Sequence, residues 1–289
     1  MPAVIDGVRA IADRYDGFIL DMWGVLHDGQ HPYPGVVDCL TRLKQAGKRL
    51  VVLSNAPRRV APAMQRMEEI GIPPELIDGM MTSGEDAWQH LVARRDPWYA
   101  RLGRACFHLG PARDKGMLEG PDMTVVAGIE EADFILNTGA DRDDDAVAQY
   151  DPLLRQALAR RLPMICANPD LVVVHRGRLA ICAGSLAQRY EELGGDVRWH
   201  GKPHRDIYER CFDLLGVADR GRIVAVGDSL RTDMTGAAGA GIDGLFVVHG
   251  IHAEELGAQP GGHAEPALLA RALDDSKLRP VAVVPTFLW

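Results

Sequence analysis

Residues 17–24 read GFILDMWG, and this stretch decides the fold prediction. Three large apolar residues in succession predict a short buried strand, and the glycine that follows predicts a turn. Asp21 therefore stands where a buried strand ends. A carboxylate at that place loses hydration that only a cation or hydrogen-bond donors replace, so it either serves a site or caps the turn that follows it.

Strand and helix patterns alternate on both sides of this stretch. A helix is predicted at 36–46 and a fully buried strand at 49–53, and strand, helix and strand with short connections form a right-handed unit with parallel strands. The pattern returns late in the chain, with a helix at 205–215 and buried strands at 223–226 and 244–248. We therefore predict an α/β fold whose core is a Rossmann-like, doubly wound parallel sheet.

The middle of the chain has secondary structure of its own. Strands are predicted there at 134–136, 164–166 and 171–174, and a helix is predicted at 151–161. If this part is an inserted domain, the two ends of the chain share one sheet. We expect residues 1–83 and 197–289 to form the core and residues 84–196 to form an α/β cap domain.

The composition is that of a globular protein with a large core. The chain has 289 residues, of which 47% are hydrophobic, and this length favours two domains over one. A formal net charge of -8 leaves no basic face for binding nucleic acid. The five cysteines are far apart and mostly lie in apolar stretches, which is typical of reduced core residues and not of zinc ligands or disulfides.

No apolar run in the sequence approaches the roughly 20 residues that a membrane span requires. The N-terminal stretch lacks both a basic start and a continuous apolar segment, so we expect no membrane partner and a cytoplasmic location. The composition leaves the oligomeric state open, with a homodimer as one option.

Polar side chains follow a second buried strand. Ser54 and Asn55 come directly after the strand at 49–53, so they would lie at the same sheet edge as Asp21, where open α/β sheets bind ligands. A hydroxyl and an amide at that edge can each donate a hydrogen bond to a phosphoryl oxygen. Either side chain could equally well cap the next helix.

An acidic stretch follows the late strand at 223–226. Asp228 would face Asp21 across neighbouring strand ends, with Asp233 close behind it. Such oxygen ligands suit Mg²⁺, which prefers octahedral coordination and keeps several waters. Lys202, in the stretch GKP, has the reach to balance negative charge shared by a carboxylate and a phosphate, although a lysine in a loop is more commonly a surface residue.

Four short motifs, in this order, resemble one family. They are DMWG at 21–24, SN at 54–55, GKP at 201–203 and GDSLRTD at 227–233. Together they resemble the haloacid dehalogenase-like hydrolases, in particular class IIA, the nitrophenylphosphatase-like members with a large α/β cap between the second and third motifs. ANPD at 167–170 stands where that class tends to carry a TNPD-like stretch. The resemblance covers nearly the whole chain.

The resemblance implies a Mg²⁺-dependent phosphatase that acts on a small phosphorylated metabolite. Asp21 would be the nucleophile and would form an aspartyl-phosphate. Ser54 would hydrogen-bond the phosphoryl group, and Lys202 would hold both the nucleophile and the phosphate. The substrate-binding residues that it implies are Asn55, which shapes the same pocket, and, in the cap, Asp141 and Arg142.

The resemblance also implies the metal site. Asp21 and Asp228 would bind Mg²⁺ together with the backbone carbonyl of Trp23, and Asp233 would orient the metal shell and complete the site. Electrostatic stabilisation of an in-line phosphoryl transfer would follow from this arrangement.

One position departs from the family pattern. Phosphatases of this family usually place a second Asp two residues after the nucleophile, where it protonates the leaving alkoxide and later activates water, and here that residue is Trp23. An acid/base group is worth about 10² to 10⁴ in rate, so turnover of alkyl phosphates would be slow, whereas aryl or acyl phosphates need little proton assistance. His27 or Asp28 would be the replacement, although a histidine beside an Asp-Gly turn is more often solvated.

Other readings of these residues stay open. The alternative function is a catalytically impaired protein that binds a phosphorylated metabolite. Dehalogenation by an aspartate would also dispense with the second Asp, but the sequence identifies no halide cradle. The acidic residues at 141 and 143–145 favour a solvated loop before a helix over a second metal site. His200 is expected to be a partly buried structural histidine.

Overall fold

The computed structural model describes residues 2–175, 178–259 and 261–289. The chain forms two compact units. The core unit comprises Met1–Ser54, Ala61–Met81 and Lys202–Trp289, and the inserted unit comprises Asn55–Val60 and Thr82–Gly201. The domain boundaries expected at 83/84 and 196/197 stay predictions, because compactness does not test which part of a chain folds by itself.

Strands and helices alternate along most of the chain. The strands are β1 (Ala3–Val4), β2 (Gly17–Leu20), β3 (Arg49–Ser54), β4 (Gly79–Thr82), β5 (Ala105–Leu109), β6 (Thr124–Val126), β7 (Phe134–Asn137), β8 (Met164–Cys166), β9 (Val172–His175), β10 (Arg178–Ile181), β11 (Val197–Trp199), β12 (Ile223–Gly227), β13 (Asp243–Val247) and β14 (Ala282–Val284). The helices are α1 (Arg9–Ala12), α2 (Val36–Gln45), α3 (Val60–Glu69), α4 (Ser83–Ala93), α5 (Pro97–Ala100), α6 (Val147–Ala159), α7 (Ala183–Glu192), α8 (Arg205–Leu215), α9 (Thr235–Ala240) and α10 (Pro266–Ser276). A π-helical turn, Leu230–Met234, precedes α9.

A parallel sheet forms the centre of the core unit. Its strand order is β1-β14-β13-β12-β2-β3-β4, and the pairs from β1 across to β3 are parallel. In the middle of the sheet, Leu20 of β2 is in register with Val226 of β12 and with Val52 of β3. Every residue of β2 is buried, which is why the sequence there is a continuous apolar run and not an alternating one.

Helix α8 covers one face of this sheet. Its buried residues Ile207, Cys211 and Leu215 recur at helical spacing and pack with Ile19 of β2 and Val51 of β3. Burying a large aliphatic side chain is worth about 1.5–3 kcal/mol. This packing therefore holds the two strands in place beneath the edge at which they end.

The inserted unit has a second parallel sheet, with the strand order β11-β8-β7-β5-β6. Successive residues of β7 point to opposite faces: Ile135 packs with Leu154 of α6, while Leu136 packs with Leu91 of α4. Both faces of the sheet are therefore covered by helices. Strands β9 and β10 form a separate antiparallel hairpin.

The α/β fold with a parallel core sheet and an inserted second sheet is confirmed. The predicted helix at 205–215 coincides with α8, and the predicted strand at 164–166 coincides with β8. Helix α6 begins earlier than predicted, at Val147, because the Gln149 side chain accepts a hydrogen bond from Ala146 N at 2.5 Å and so satisfies the first turn. All five cysteine side chains are buried, as expected of core residues.

Membrane crossing requires a long apolar helix. In the part of the chain that the structure describes, every helix is too short or too polar to span a bilayer.

The core sheet has its topological switch point at β2, where the strand order changes direction. Strand β3 lies on one side of β2 and β12 lies on the other, and such a switch opens a crevice at the carboxyl ends of the strands. Asp21 follows β2, Ser54 ends β3 and Asp228 follows β12. The topology therefore brings residues that are far apart in sequence to one edge of the sheet.

Candidate active site

Three buried carboxylates converge at this edge. One carboxylate oxygen from each of Asp21, Asp228 and Asp233 lies within 4.8 Å of the others. These residues are 8%, 6% and 3% exposed. Strand pairing sets the spacing of the first two, since Asp21 N donates a hydrogen bond to Val226 O at 2.8 Å. The acidic residues that the sequence puts after separate strands therefore come together.

Asp233 reaches the cluster through the π-helical turn that follows β12. Such turns are frequent at functional sites because the extra residue per turn redirects a side chain. Ser229 stabilises the turn, since its side chain accepts a hydrogen bond from Thr232 N and its own N–H donates to Asp233 Oδ2 at 3.1 Å. The Asp233 carboxylate is therefore turned back toward the end of β12.

Lys202 links two of the carboxylates. Its Nζ donates hydrogen bonds to Asp21 Oδ1 at 2.5 Å and to Asp233 Oδ1 at 2.7 Å. Burial lowers the pKa of Lys202, but the two carboxylates outweigh burial and raise it well above its ordinary value, so the ammonium stays charged. Lys202 is thus a buried member of the cluster and not a surface lysine.

The cluster has more negative than positive charge around it. Burial raises the pKa of Asp21 to about 7, while Lys202 lowers it and Asp233 raises it further. Burial and the charges of Asp21 and Asp233 raise the pKa of Asp228 well above its ordinary value. Carboxylates with raised pKa values are short of compensating positive charge. A divalent cation that prefers oxygen ligands, such as Mg²⁺, fits this set of donors.

Two glycines enclose the Asp228 carboxylate. A Cβ on Gly24 would lie 2.2 Å from Asp228 Oδ2, and a Cβ on Gly250 would lie 2.0 Å from it. Ile251 N donates a hydrogen bond to the same oxygen at 2.8 Å. Because neither glycine has a side chain, the backbone of the loop after β2 and of the segment after β13 packs directly against Asp228. This packing fixes the orientation of the Asp228 carboxylate.

Ser54 and Asn55 belong to different units. Ser54 ends β3 in the core unit and is 4% exposed. Asn55 lies in the inserted unit, where its Nδ2 donates to Asp170 Oδ1 at 2.8 Å. Asp170 closes the ANPD stretch, so this motif holds the Asn55 amide. The contacts of both residues with a substrate stay predictions.

The loop after β2 is organised around Trp23. Its indole meets the His27 ring edge-to-face with centroids 5.5 Å apart, and a Cβ on Gly29 would lie 2.2 Å from the indole Cη2. His27 is 3% exposed, so the expectation of a solvated histidine is wrong, because the loop folds back over the indole and encloses the imidazole. Gly29 N donates to His27 Nδ1 at 2.9 Å, and burial lowers the pKa of His27 to about 4, so the neutral ring carries its proton on Nε2.

The remaining predicted residues have other local roles. Asp28 is exposed and caps a turn, since its Oδ1 accepts hydrogen bonds from Gln30 N and His31 N, each at 2.8 Å. Asp141 and Arg142 are exposed residues of the inserted unit, and Arg142 Nη2 donates to an oxygen of Asp144 at 3.0 Å. The acidic stretch is a solvated loop before α6, as predicted. The approach of Asp141 and Arg142 to a substrate stays a prediction.

His200 is more deeply buried than expected, at 4% exposed. Its Nδ1 pairs with Asp86 Oδ2 at 2.5 Å, and its Nε2 pairs with the hydroxyl of Tyr99. A buried imidazole with both nitrogens in hydrogen bonds is a structural element of the inserted unit.

Tyr33 and His249 meet near the site, although no motif in the sequence points to either residue. Their rings meet edge-to-face with centroids 4.9 Å apart and an interplanar angle of 88°. His249 directly precedes Gly250 and Ile251, which contact Asp228. The local signal for Tyr33 was an aromatic residue within a Gly/Pro-rich loop after a strand that ends in Asp21. Its partner His249 is distant in the sequence, so local sequence patterns could not predict this contact.

Two family models match the chain. Residues 18–124 match the model of the haloacid dehalogenase-like hydrolases, and residues 199–276 match a model described as HAD-hydrolase-like. A crystal structure of a haloacid dehalogenase-like family hydrolase from Brucella suis is 31% identical, covers 99% of this chain and 100% of that chain, and superposes with a TM-score of 0.83. The similarity therefore extends over both units.

Curated relatives carry phosphatase names. The chain is 24% identical to the 4-nitrophenylphosphatase of Schizosaccharomyces pombe, over 86% of this chain and 88% of the relative. It is 27% identical to the D-glycerol 3-phosphate phosphatase of Mycobacterium tuberculosis, over 96% of this chain and 76% of the relative.

Gly24→Ala should displace the Asp228 carboxylate and weaken binding of Mg²⁺ about 10- to 100-fold, the range for residues that orient metal ligands. Gly47→Ala is the matched control, since Gly47 also has a positive φ, +74°, but nothing lies within 4 Å of its Cβ position. In both variants the alanine has to adopt a left-handed backbone conformation, which lowers the stability of the folded protein by about 1–2 kcal/mol. Calorimetric titration with Mg²⁺ measures the difference, and equal affinities in the two variants would contradict the close approach.

Lys202→Met should lower the free energy of unfolding by about 3–5 kcal/mol, because it leaves buried carboxylates without their ammonium partner. Added Mg²⁺ should recover part of this loss. Arg42→Met is the control, since the exposed Arg42–Asp38 pair on α2 is worth at most about 0.5 kcal/mol. Urea unfolding with Mg²⁺ and with a chelator tests both variants. A loss as small as that of the control would show that the cluster does not depend on Lys202.

Proposed function

The chain belongs to the haloacid dehalogenase-like hydrolases, class IIA, and on that premise we propose that it is a Mg²⁺-dependent phosphatase that hydrolyses a small phosphorylated metabolite through an aspartyl-phosphate on Asp21. One observation carries the proposal. The Lys202 ammonium contacts Asp21 and Asp233 beside Asp228, in a buried cluster at the carboxyl edge of a parallel sheet. A nucleophile, a countercharge and oxygen ligands for a metal are the parts that phosphoryl transfer requires.

The names of the relatives support the same reaction class. The two curated relatives are named for a nitrophenyl ester and for a glycerol ester of phosphoric acid. Both names describe small phosphoric monoesters with unlike leaving groups. The shared part is the phosphoryl group, which is the part that an Asp nucleophile would attack. The leaving group that this chain accepts would depend on residues other than the nucleophile.

In the first proposed step, a carboxylate oxygen of Asp21 attacks phosphorus while the bond to the leaving oxygen breaks. The Lys202 ammonium, 2.5 Å from Asp21 Oδ1, would offset negative charge on the nucleophile and on the phosphoryl group. Ser54, at the end of the neighbouring strand, would donate a hydrogen bond to a phosphoryl oxygen. In the second step, water attacks the aspartyl-phosphate, phosphate leaves and the Asp21 carboxylate is restored.

The residues that would hold Mg²⁺ are Asp21, Asp228 and the backbone carbonyl of Trp23, with Asp233 completing the site. Mg²⁺, when bound, supplies positive charge beside the transferring phosphoryl group. Asp233 already shares its oxygens between Lys202 and Ser229 N, so it would act mainly by holding Lys202 and the metal surroundings in position.

Substrate selection is proposed for residues outside the core unit. Asn55, Asp141 and Arg142 belong to the inserted unit. In enzymes with such an inserted domain, loops close over the site, exclude water and hold the substrate for the reaction. An exposed arginine such as Arg142 suits an anionic substrate, since it can offer several donors to one group.

Asp21→Asn should reduce release of p-nitrophenol from p-nitrophenyl phosphate to the uncatalysed background, because an amide cannot attack phosphorus. The assay contains purified protein and Mg²⁺, and chelation of Mg²⁺ should abolish release by the wild type. Asp38→Asn, which neutralises an exposed carboxylate of α2, is the control and should keep full activity. Release that persists in Asp21→Asn would remove the nucleophile from the proposal.

A second candidate is a protein that binds a phosphorylated metabolite with little turnover. The observation that favours it is Trp23, whose indole fills the loop where the family usually has an acid/base Asp. Under this alternative, a phosphorylated ligand would raise the melting temperature of the wild type while p-nitrophenol release stays at background. The same assay therefore separates the two candidates.

A further inference from the structure

Expulsion of an alkoxide requires a proton donor on the side of the leaving group, and such a donor contributes about 10² to 10⁴ in rate. Trp23 offers no acidic proton. The loop after β2 holds four other residues with a titratable side chain: His27, Asp28, His31 and Tyr33. His31 is exposed, and no contact among the described residues ties its ring to the carboxylate cluster. Their contacts differ enough to choose between them.

Asp28 and His27 are both occupied by the loop itself. Asp28 is exposed, and its carboxylate accepts hydrogen bonds from the backbone of Gln30 and His31. His27 uses Nδ1 to accept from Gly29 N, and its other nitrogen, Nε2, is enclosed beneath the loop without a hydrogen-bond partner among the described residues. An enclosed atom cannot touch a substrate, so His27 holds the Trp23 indole in place and Asp28 holds a turn.

Tyr33 lies at the end of the same loop, and its position is tied to the carboxylate cluster. Its N–H donates to Leu26 O at 3.0 Å, which closes the loop on itself. Its ring packs edge-to-face against His249, and the two residues after His249 enclose Asp228. The phenol ring is therefore held against the segment that orients a predicted metal ligand.

The Tyr33 hydroxyl is available for a ligand. The side chain is partly exposed, and within residues 2–175, 178–259 and 261–289 its hydroxyl has no hydrogen-bond partner. Burial of part of the ring, followed by the negative charges of Asp228, Asp28 and Asp21, raises the pKa of Tyr33 to about 12. The ring contact with His249 places the phenol beside the segment that orients Asp228, and at neutral pH the hydroxyl keeps its proton.

We propose that the Tyr33 hydroxyl is the proton donor to the leaving oxygen in the proposed phosphatase reaction, in place of the carboxyl that Trp23 has replaced. The inference rests on the proposed function. As Asp21 attacks, the P–O bond to the leaving group breaks, and the leaving alkoxide takes the phenol proton to give an alcohol and a phenolate. Water then attacks the aspartyl-phosphate and returns a proton to the phenolate, so both residues regain their starting state.

This assignment defines the substrate class. A phenol can protonate an alkoxide, which is the stronger base, so the chain would hydrolyse phosphoric monoesters of alcohols and not only aryl or acyl phosphates. The Trp23 indole would then form an apolar wall beside the leaving group, held in place by His27 and Gly29.

Tyr33→Phe tests the proposal, because it removes the hydroxyl and keeps the ring that packs against His249. With Mg²⁺ present, kcat for glycerol 2-phosphate should fall by about 10²- to 10⁴-fold, while kcat for p-nitrophenyl phosphate should change little. Tyr15→Phe is the matched control, since the Tyr15 hydroxyl donates to Asp243 and lies outside the cluster. It should leave the ratio of the two rates unchanged.

The possible results distinguish the assignment of Tyr33 from the proposed phosphatase function. Equal loss on both esters would show that Tyr33 has a structural role, and no loss on either would show that it transfers no proton, so each result overturns the assignment while the proposed function stands. Absence of Mg²⁺-dependent hydrolysis of both esters by the wild type overturns the proposed function and the assignment together. A solvent deuterium isotope effect on kcat for the alkyl ester alone would support the assignment without any variant.

Discussion

The buried contact of the Lys202 ammonium with Asp21 and Asp233 is the interaction on which the site depends. Each of these charged groups loses hydration worth several kcal/mol when it is buried, and only close contact between opposite charges offsets that loss. The carboxylates therefore have to lie within a few ångströms of one ammonium. Burial, together with the negative charge that is left over, raises the pKa values of Asp21 and Asp228, and this makes the cluster a candidate site for a divalent cation.

The topology of the core sheet satisfies this constraint. Strands β12, β2 and β3 are neighbours, so their carboxyl ends carry Asp228, Asp21 and Ser54 to the same edge. A π-helical turn brings Asp233 back to that edge. Because the strands themselves are fixed by burial against α8, the functional groups stand on rigid supports, which is what a preorganised electrostatic site requires.

The loop after β2 shows how a departure from the family pattern is accommodated. Trp23 stands where a second carboxyl is usual, and the surrounding residues match it: Gly29 leaves room for the indole and His27 packs against its ring. The loop thus encloses an aromatic ring where the family usually has a carboxyl. Tyr33 closes the same loop and packs against His249, which directly precedes the segment that encloses Asp228.

The sequence by itself determined the fold class and the identity of the cluster, because buried parallel strands are continuous apolar runs and a polar residue at their ends is a local signal. The strand-end positions of Asp21, Ser54 and Asp228 come from this signal, with a capping role as the alternative for Asp21 and Ser54, and the family resemblance supplies the predicted roles of these residues and of Lys202. Only the tertiary structure decided the burial of His27, the capture of the Asn55 amide by Asp170, and the meeting of Tyr33 with His249. These contacts join residues that are distant in sequence or depend on how a loop closes, and neither is encoded in local periodicity.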